Sequence, residues 1–151
     1  MSEFIRWGIL STAGIAASAF VPAVGQTSRG QLVGVASRDK TRADAFAAEH
    51  KIERSFGSYE ELLACDDIDA IYNPLPNSMH AEWTQRAAEA GKHVFCEKPL
   101  GISVAECEKM VADCADAGVL LFEAFVFLYH PKSLKLRQVI DAGQIGPLVQ
   151  M

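Results

Sequence analysis

The sequence predicts an α/β fold, a doubly wound parallel sheet with helices on both faces. Three observations predict it. Short apolar runs alternate with segments whose apolar residues recur every three to four positions, the pattern of βαβ units. Two capping boxes, Ser58 with Glu61 and Ser103 with Glu106, open helices. Glycines at 91, 118 and 143 stand where helices should stop.

The elements follow in order. Phe4 to Leu10 is the first strand, and Ala16, Ala19, Phe20, Ala23 and Val24 then share one helical face. Pro22 lies within that face. An interior proline costs about 3 kcal/mol, so a kink or a late start is expected. Leu32 to Ser37 is the second strand, and Ala43, Phe46, Ala47 and His50 mark the face of the second helix. A weak third strand lies near Arg54 to Phe56, before a short helix burying Leu62 and Leu63. Ile68 to Tyr72 is the fourth strand, followed by the proline-bracketed loop Asn73 to Asn77. The next helix turns Trp83, Ala87 and Ala90 inward and stops at Gly91. His93 to Cys96 is the fifth strand, running into Glu97-Lys98-Pro99. Cys107, Met110, Val111 and Cys114 form the buried stripe of the helix that ends near Gly118. Val119 to Phe122 is the sixth strand, and Leu136, Val139 and Ile140 mark a last helix before Gly143. Leu148 to Met151 begins one more apolar strand, which gives the chain the look of one cut off. The common strand order for such a sheet is 3-2-1-4-5-6.

Composition narrows the function classes. Of 151 residues half are apolar, and 14 basic against 19 acidic residues give a net charge of −5. That balance argues against a nucleic-acid or anionic-membrane binder. No apolar run reaches the roughly 20 residues a membrane-spanning helix needs, and the N-terminus lacks a signal peptide's layout, so the cytoplasm is expected. Cys65, Cys96, Cys107 and Cys114 lack zinc-ligand spacing and read as reduced, mostly core residues. No Ser/His/Asp or metal constellation is visible, which disfavours a hydrolase or metalloenzyme.

Ligands of an open parallel sheet bind at the carboxyl ends of the strands, where strand order reverses. Three loops meet there: Ser11 to Ala16, Asn73 to Asn77, and Glu97 to Pro99. A helix starting near Gly14 would point unpaired N–H groups at a phosphate. The first loop is a degraded G-x-G-x-x-G/A pattern: Ser11 and Ala13 stand in the glycine places, Gly14 is displaced by one, and only Ala16 fits. Ser37-Arg38 lies 21 positions after Ala16 and suits a 2′-phosphate, which favours NADP with NAD left open. Asp39 can hold a bare ribose instead, or cap the second helix. Lys98, between an acid and a proline at the crevice mouth, can exchange a proton with a substrate hydroxyl, partial burial helping to tune it. The residues alone favour the plainer reading, a solvated surface lysine paired with Glu97. His80 can touch a cofactor ribose, cap its helix or lie exposed. His50, His93 and His130 read as structural.

Residues Arg6 to Ala16, Val35 to Asp39, Tyr72 to His80 and above all Ala90-Gly91-Lys92-His93-Val94-Phe95-Cys96-Glu97-Lys98-Pro99-Leu100 resemble the Gfo/Idh/MocA oxidoreductases. Glu123-Ala124-Phe125 and His130-Pro131 extend the likeness almost to the end. The resemblance implies a Rossmann domain over residues 1–124. A connecting segment and the start of a second, absent α/β domain would occupy 125–151. Lys98 is the implied catalytic lysine, beside Glu97 and Pro99. Cofactor contacts are implied from Ser11, Thr12, Ala13, Gly14, Ile15, Ala16, Ser37, Arg38, Leu75, Pro76, Asn77, His80, Glu97 and Lys98. The motifs are most similar to those of xylose-type and trans-dihydrodiol dehydrogenases, which usually use NADP. Phe127-Leu128 replaces a Tyr-Arg pair common in related sequences, which leaves the substrate class open.

The expected function is therefore the NAD(P)-binding half of an oxidoreductase passing a hydride between NADP(H) and a sugar, polyol or cyclic diol, inactive as the short chain alone. The alternative is a non-catalytic NADP sensor on the same scaffold. No metal, nucleic acid or membrane partner is expected, and exposed apolar surface suggests a homo-oligomer.

Overall fold

A computed structural model describes residues 4–147 and 149, so the expected strand at Leu148–Met151 falls, but for Val149, outside the described residues. Six parallel strands form one sheet: β1 (Ile5–Leu10), β2 (Gly30–Ala36), β3 (Arg54–Phe56), β4 (Ala70–Asn73), β5 (His93–Cys96) and β6 (Leu121–Glu123). Their spatial order is β3-β2-β1-β4-β5-β6, as the pattern predicts. The helices are α1 (residues 14–25), α2 (Lys40–His50), α3 (Tyr59–Leu63), α4 (His80–Glu89), α5 (Val104–Asp116) and α6 (Pro131–Asp141).

Strand alternation divides the interior in two. Leu10, Ala36 and Ile71 pack with Leu62, Trp83, Ala87 and Met110 from α3, α4 and α5. Their neighbours Ile9, Val35 and Tyr72 pack on the opposite face with Ala16, Phe20 and Phe46 from α1 and α2. Leu62 is wholly buried, so truncation to alanine costs about 2–5 kcal/mol. Close approach requires glycine at two strand positions. A Cβ at Gly8 would lie 2.9 Å from the Leu62 side chain, and one at Gly34 would lie 2.8 Å from the Phe56 ring. Both capping boxes form: Ser58 accepts from the Glu61 N–H at 3.1 Å, and Ser103 from the Glu106 N–H at 3.2 Å.

Several expectations need correction. The chain accommodates Pro22 without breaking α1, which winds as a π-helix over Ala16–Phe20 and continues regularly over Val21–Gly25. The wider turn bonds the Val21 N–H to the Ala16 carbonyl, relieving the crowding a proline ring imposes on a tighter helix. It also rotates the face, so Ala16, Phe20 and Val24 are buried while Ala19 and Ala23 are exposed. Ala90 is exposed, and Thr84 and Ala88 take the inward places on α4. On α5, Met110 and Cys114 are buried but Val111 is exposed. Burial pushes the Cys96 thiol up to about 12, the state of an inert core cysteine. From Phe125 onward the large apolar residues Val126, Phe127, Leu128, Tyr129, Leu134 and Leu136 are exposed.

Candidate functional site

Strand register aligns the loops that matter. Leu10 pairs with Ala36, and Asn73 with Cys96, so the chain leaves all four strands at one edge of the sheet. Two further bonds extend the ladders into those loops: Ser11 N–H to the Ala36 carbonyl at 2.9 Å, and Glu97 N–H to the Asn73 carbonyl at 3.0 Å. Strands β1 and β4 are neighbours, which puts the reversal of strand order between their ends.

A cleft of about 520 Å³ opens there, lined by Ser11, Thr12, Ala13, Ser37, Arg38, Asp39, Arg42, Tyr59, Leu75, Pro76 and Met79. Seven of the expected contact residues are thus brought together. Gly14 and Ile15 follow on the exposed first turn of α1. Ala16 does not offer a free donor: it is buried, and its N–H bonds the Ala13 carbonyl at 3.0 Å. Asn77 opens the turn before α4.

Ser11 carries the strain of the degraded glycine motif. Its φ is +88°, the left-handed region where a glycine costs little and a serine does not. The turn thus takes a backbone shape that glycine adopts freely. The Ser11 hydroxyl is buried with no hydrogen-bond partner among the described residues, and Ser11 lines the cleft. Together with the opening turn of α1, this fits a phosphate-bearing cofactor.

The far end of the cleft is cationic. Asp39 is the N-cap of α2, accepting from the Thr41 N–H at 3.0 Å and from the Thr41 hydroxyl, which holds its carboxyl below the usual range. Of its two readings, capping is the one the geometry shows. Arg42, on the first turn of α2, and Tyr59, at the start of α3, line the same cleft as Arg38. Sequence reading missed Arg42 and Tyr59. The available signal for the arginine was its place three residues after Asp39, on the first turn of the helix that follows β2. Two guanidiniums and the Ser37 hydroxyl line one cleft, donor chemistry that suits a phosphate.

The lysine loop lies on the next strand. Lys98 is exposed rather than partly buried, and its ammonium makes no hydrogen bond or ion pair among the described residues. Glu97 does not pair with it. Instead Glu97 accepts from the Tyr72 hydroxyl at 2.6 Å and from the Lys98 backbone N–H at 3.3 Å. Leu100 N–H is held by Glu123 at 3.0 Å, and a cis peptide joins Lys98 to Pro99.

His80 departs most from expectation. It is wholly buried, with Nδ1 2.8 Å from the Pro99 carbonyl and Nε2 2.8 Å from the Leu75 carbonyl. A ring enclosed this way neither lies exposed nor presents itself to a ribose. Lys92 is similarly buried, donating to the Cys65 and Ile68 carbonyls at 2.9 and 2.8 Å. His130 caps α6, accepting from the Lys132 N–H at 3.1 Å. No group of three or more metal-ligating side chains occurs among the described residues, and no helix there is long and apolar enough to cross a membrane.

Residues 5–125 match the model of the Gfo/Idh/MocA oxidoreductase family, described by its NAD-binding Rossmann fold. The chain belongs to the Gfo/Idh/MocA family. Among Gfo/Idh/MocA relatives it is 46% identical over 147 residues to an NADP(+) D-xylose 1-dehydrogenase of Haloferax volcanii, covering 97% of this chain and 45% of that protein. It is 40% identical to the trans-1,2-dihydrobenzene-1,2-diol dehydrogenase of Macaca fascicularis, covering 95% of this chain and 43% of that one. A 3-ketoreductase from Actinomadura kijaniata, solved with NADP, superposes with a TM-score of 0.88 at 39% identity, over 95% of this chain and 45% of its own. The chain thus spans less than half the length of these family members.

Proposed function

We propose that this chain is the NADP-binding part of an oxidoreductase acting on a CH–OH group of a sugar, polyol or cyclic diol. The observation that carries the proposal is the cleft. Its backbone turn at Ser11 and the start of α1 suit a pyrophosphate, and its far end sets Ser37, Arg38 and Arg42 around the place of a 2′-phosphate. The relatives named above are NADP-linked or act on sugar-like and diol substrates by their names, and none of them is a regulator.

Bound NADP would accept or deliver the hydride; the protein supplies orientation, exclusion of water and proton handling. In this reading Thr12, Ala13, Gly14 and Ile15 hold the pyrophosphate through their N–H groups. Leu75, Pro76 and Asn77 form the wall beside β4. Lys98 reaches the substrate hydroxyl and takes or gives its proton, while Glu97, fixed by Tyr72, holds the lysine loop. Residues 125–151 act as a connecting segment. Their exposed apolar side chains, Phe125 to Tyr129 among them, are covered in a homo-oligomer of the working enzyme.

The test is an amide chemical-shift map on adding NADPH. Shifts should concentrate at residues 11–15, 37–42, 75–79 and 97–98. A map centred elsewhere, or none at saturating NADPH, overturns the reading.

A further inference from the structure

Buried polar side chains that face nothing but acceptors are costly unless each contact is a true hydrogen bond. His80 is such a side chain. It begins α4, yet its ring is wholly buried between two loops. One carbonyl it meets, that of Leu75, belongs to the wall of the cleft. The other, that of Pro99, belongs to the loop carrying Lys98. Carbonyl oxygens only accept, so a ring with one N–H serves one loop at a time and a ring with two serves both.

The surroundings make this a joint rather than a loose contact. Asn73, also wholly buried, donates to the His80 carbonyl and the Thr84 hydroxyl at 3.4 Å each, and accepts from the Leu75 N–H at 3.3 Å. Its own backbone carbonyl receives the Glu97 N–H. Leu75 therefore has a second anchor, and its side chain is packed in the core. Pro99 has no N–H, and among the described residues the other bonds holding this stretch are the Lys98 N–H to the Glu97 carboxylate and, beyond Pro99, the Leu100 N–H to Glu123. Losing the imidazole should consequently free the lysine loop more than the Leu75 wall.

We propose that His80 is a positioning residue that fixes the Lys98 loop through the Pro99 carbonyl and couples it to the Leu75 wall of the cleft. The proposal rests on the cofactor reading only for its consequence, that the half of NADPH near Lys98 depends on His80 while the 2′-phosphate half does not.

Two measurements on the 151-residue chain test it. The first is hydrogen exchange by mass spectrometry on wild type and His80→Leu. Exchange in residues 97–101 should rise about tenfold while that of β1 stays unchanged. The second is titration with NADPH and with adenosine 2′,5′-bisphosphate, which carries only the far-end groups. His80→Leu should weaken NADPH about tenfold and leave the bisphosphate within about twofold, whereas a merely structural role weakens both alike. His80→Gln keeps a single donating nitrogen, able to reach one loop, and should fall between; it takes over the comparison if the leucine variant does not fold. In wild type, the His80 ring N–H resonances should be protected from solvent exchange. Unchanged exchange at 97–101 in the variants, equal weakening of both ligands, or rapidly exchanging ring protons each overturn the proposal. If wild type binds neither ligand, the cofactor reading fails, and the exchange data alone still decide the role of His80.

Discussion

The Tyr72 hydroxyl, at the end of β4, donates a 2.6 Å hydrogen bond to the carboxylate of Glu97, the first residue beyond β5. The Tyr72 ring stacks on Phe20 at 4.0 Å, so the phenol is held by α1 on one side and steers the acid of the lysine loop on the other. Burial, then the hydrogen bond to Glu97, raises the phenol well above its ordinary value. A raised value means the folded state favours the neutral donor. Its contribution is complete below the unfolded tyrosine value near 10 and is lost as pH rises beyond that. Tyr72→Phe keeps the stacking and removes the donor. We expect a loss of about 1 kcal/mol by urea denaturation. The difference should stay flat between pH 6 and pH 9 (roughly, the window below the unfolded value) and shrink above it.

Ser11→Gly separates strain from function. Relief of the left-handed serine should raise stability by about 1 kcal/mol in thermal denaturation. The same change deletes the buried, unpartnered hydroxyl, so NADPH affinity should fall despite the gain in stability.

Arg42→Ala tests the residue that the sequence reading overlooked. A partner for the 2′-phosphate should cost NADPH about 1.4 kcal/mol, or tenfold in Kd, and leave NADH unaffected. Equal weakening of both cofactors would assign Arg42 to the fold instead.

Asp69 ties β1 to the start of β4, accepting from the Arg6 backbone N–H at 2.9 Å and from its guanidinium at 2.6 and 3.0 Å. The Arg6 side-chain hydrogen bond holds the Asp69 carboxyl below its usual range. A lowered value stabilises the fold above the unfolded carboxylate value near 3.9 and loses that contribution as pH falls through the folded one. Asp69→Asn should therefore cost about 1 kcal/mol at pH 7 and progressively less as the pH is taken below 4 in chemical denaturation.

How much of this the sequence carried depends on what kind of physics each feature uses. Strand order, the capping boxes at Ser58 and Ser103 and the stops at Gly91 and Gly118 are local signals, legible residue by residue. The loops of the cleft were legible because strand ends and strand order locate them together. The π-helical path through Ala16–Phe20 was not, since it reconciles Pro22 with packing against β1 and β2, a tertiary demand. His80, which the sequence left between a ribose contact, a helix cap and exposure, and Lys92 are both buried by carbonyls that converge from loops distant in sequence. Arg42 and Tyr59 join the cleft only because α2 and the start of α3 both abut its far end.

The most direct measurement is fluorescence titration of the 151-residue chain with NADPH and NADH side by side. Recognition of the 2′-phosphate by Ser37, Arg38 and Arg42 predicts NADPH tighter by about tenfold or more, the advantage vanishing in high salt. Equal affinities, or tighter NADH, would contradict it.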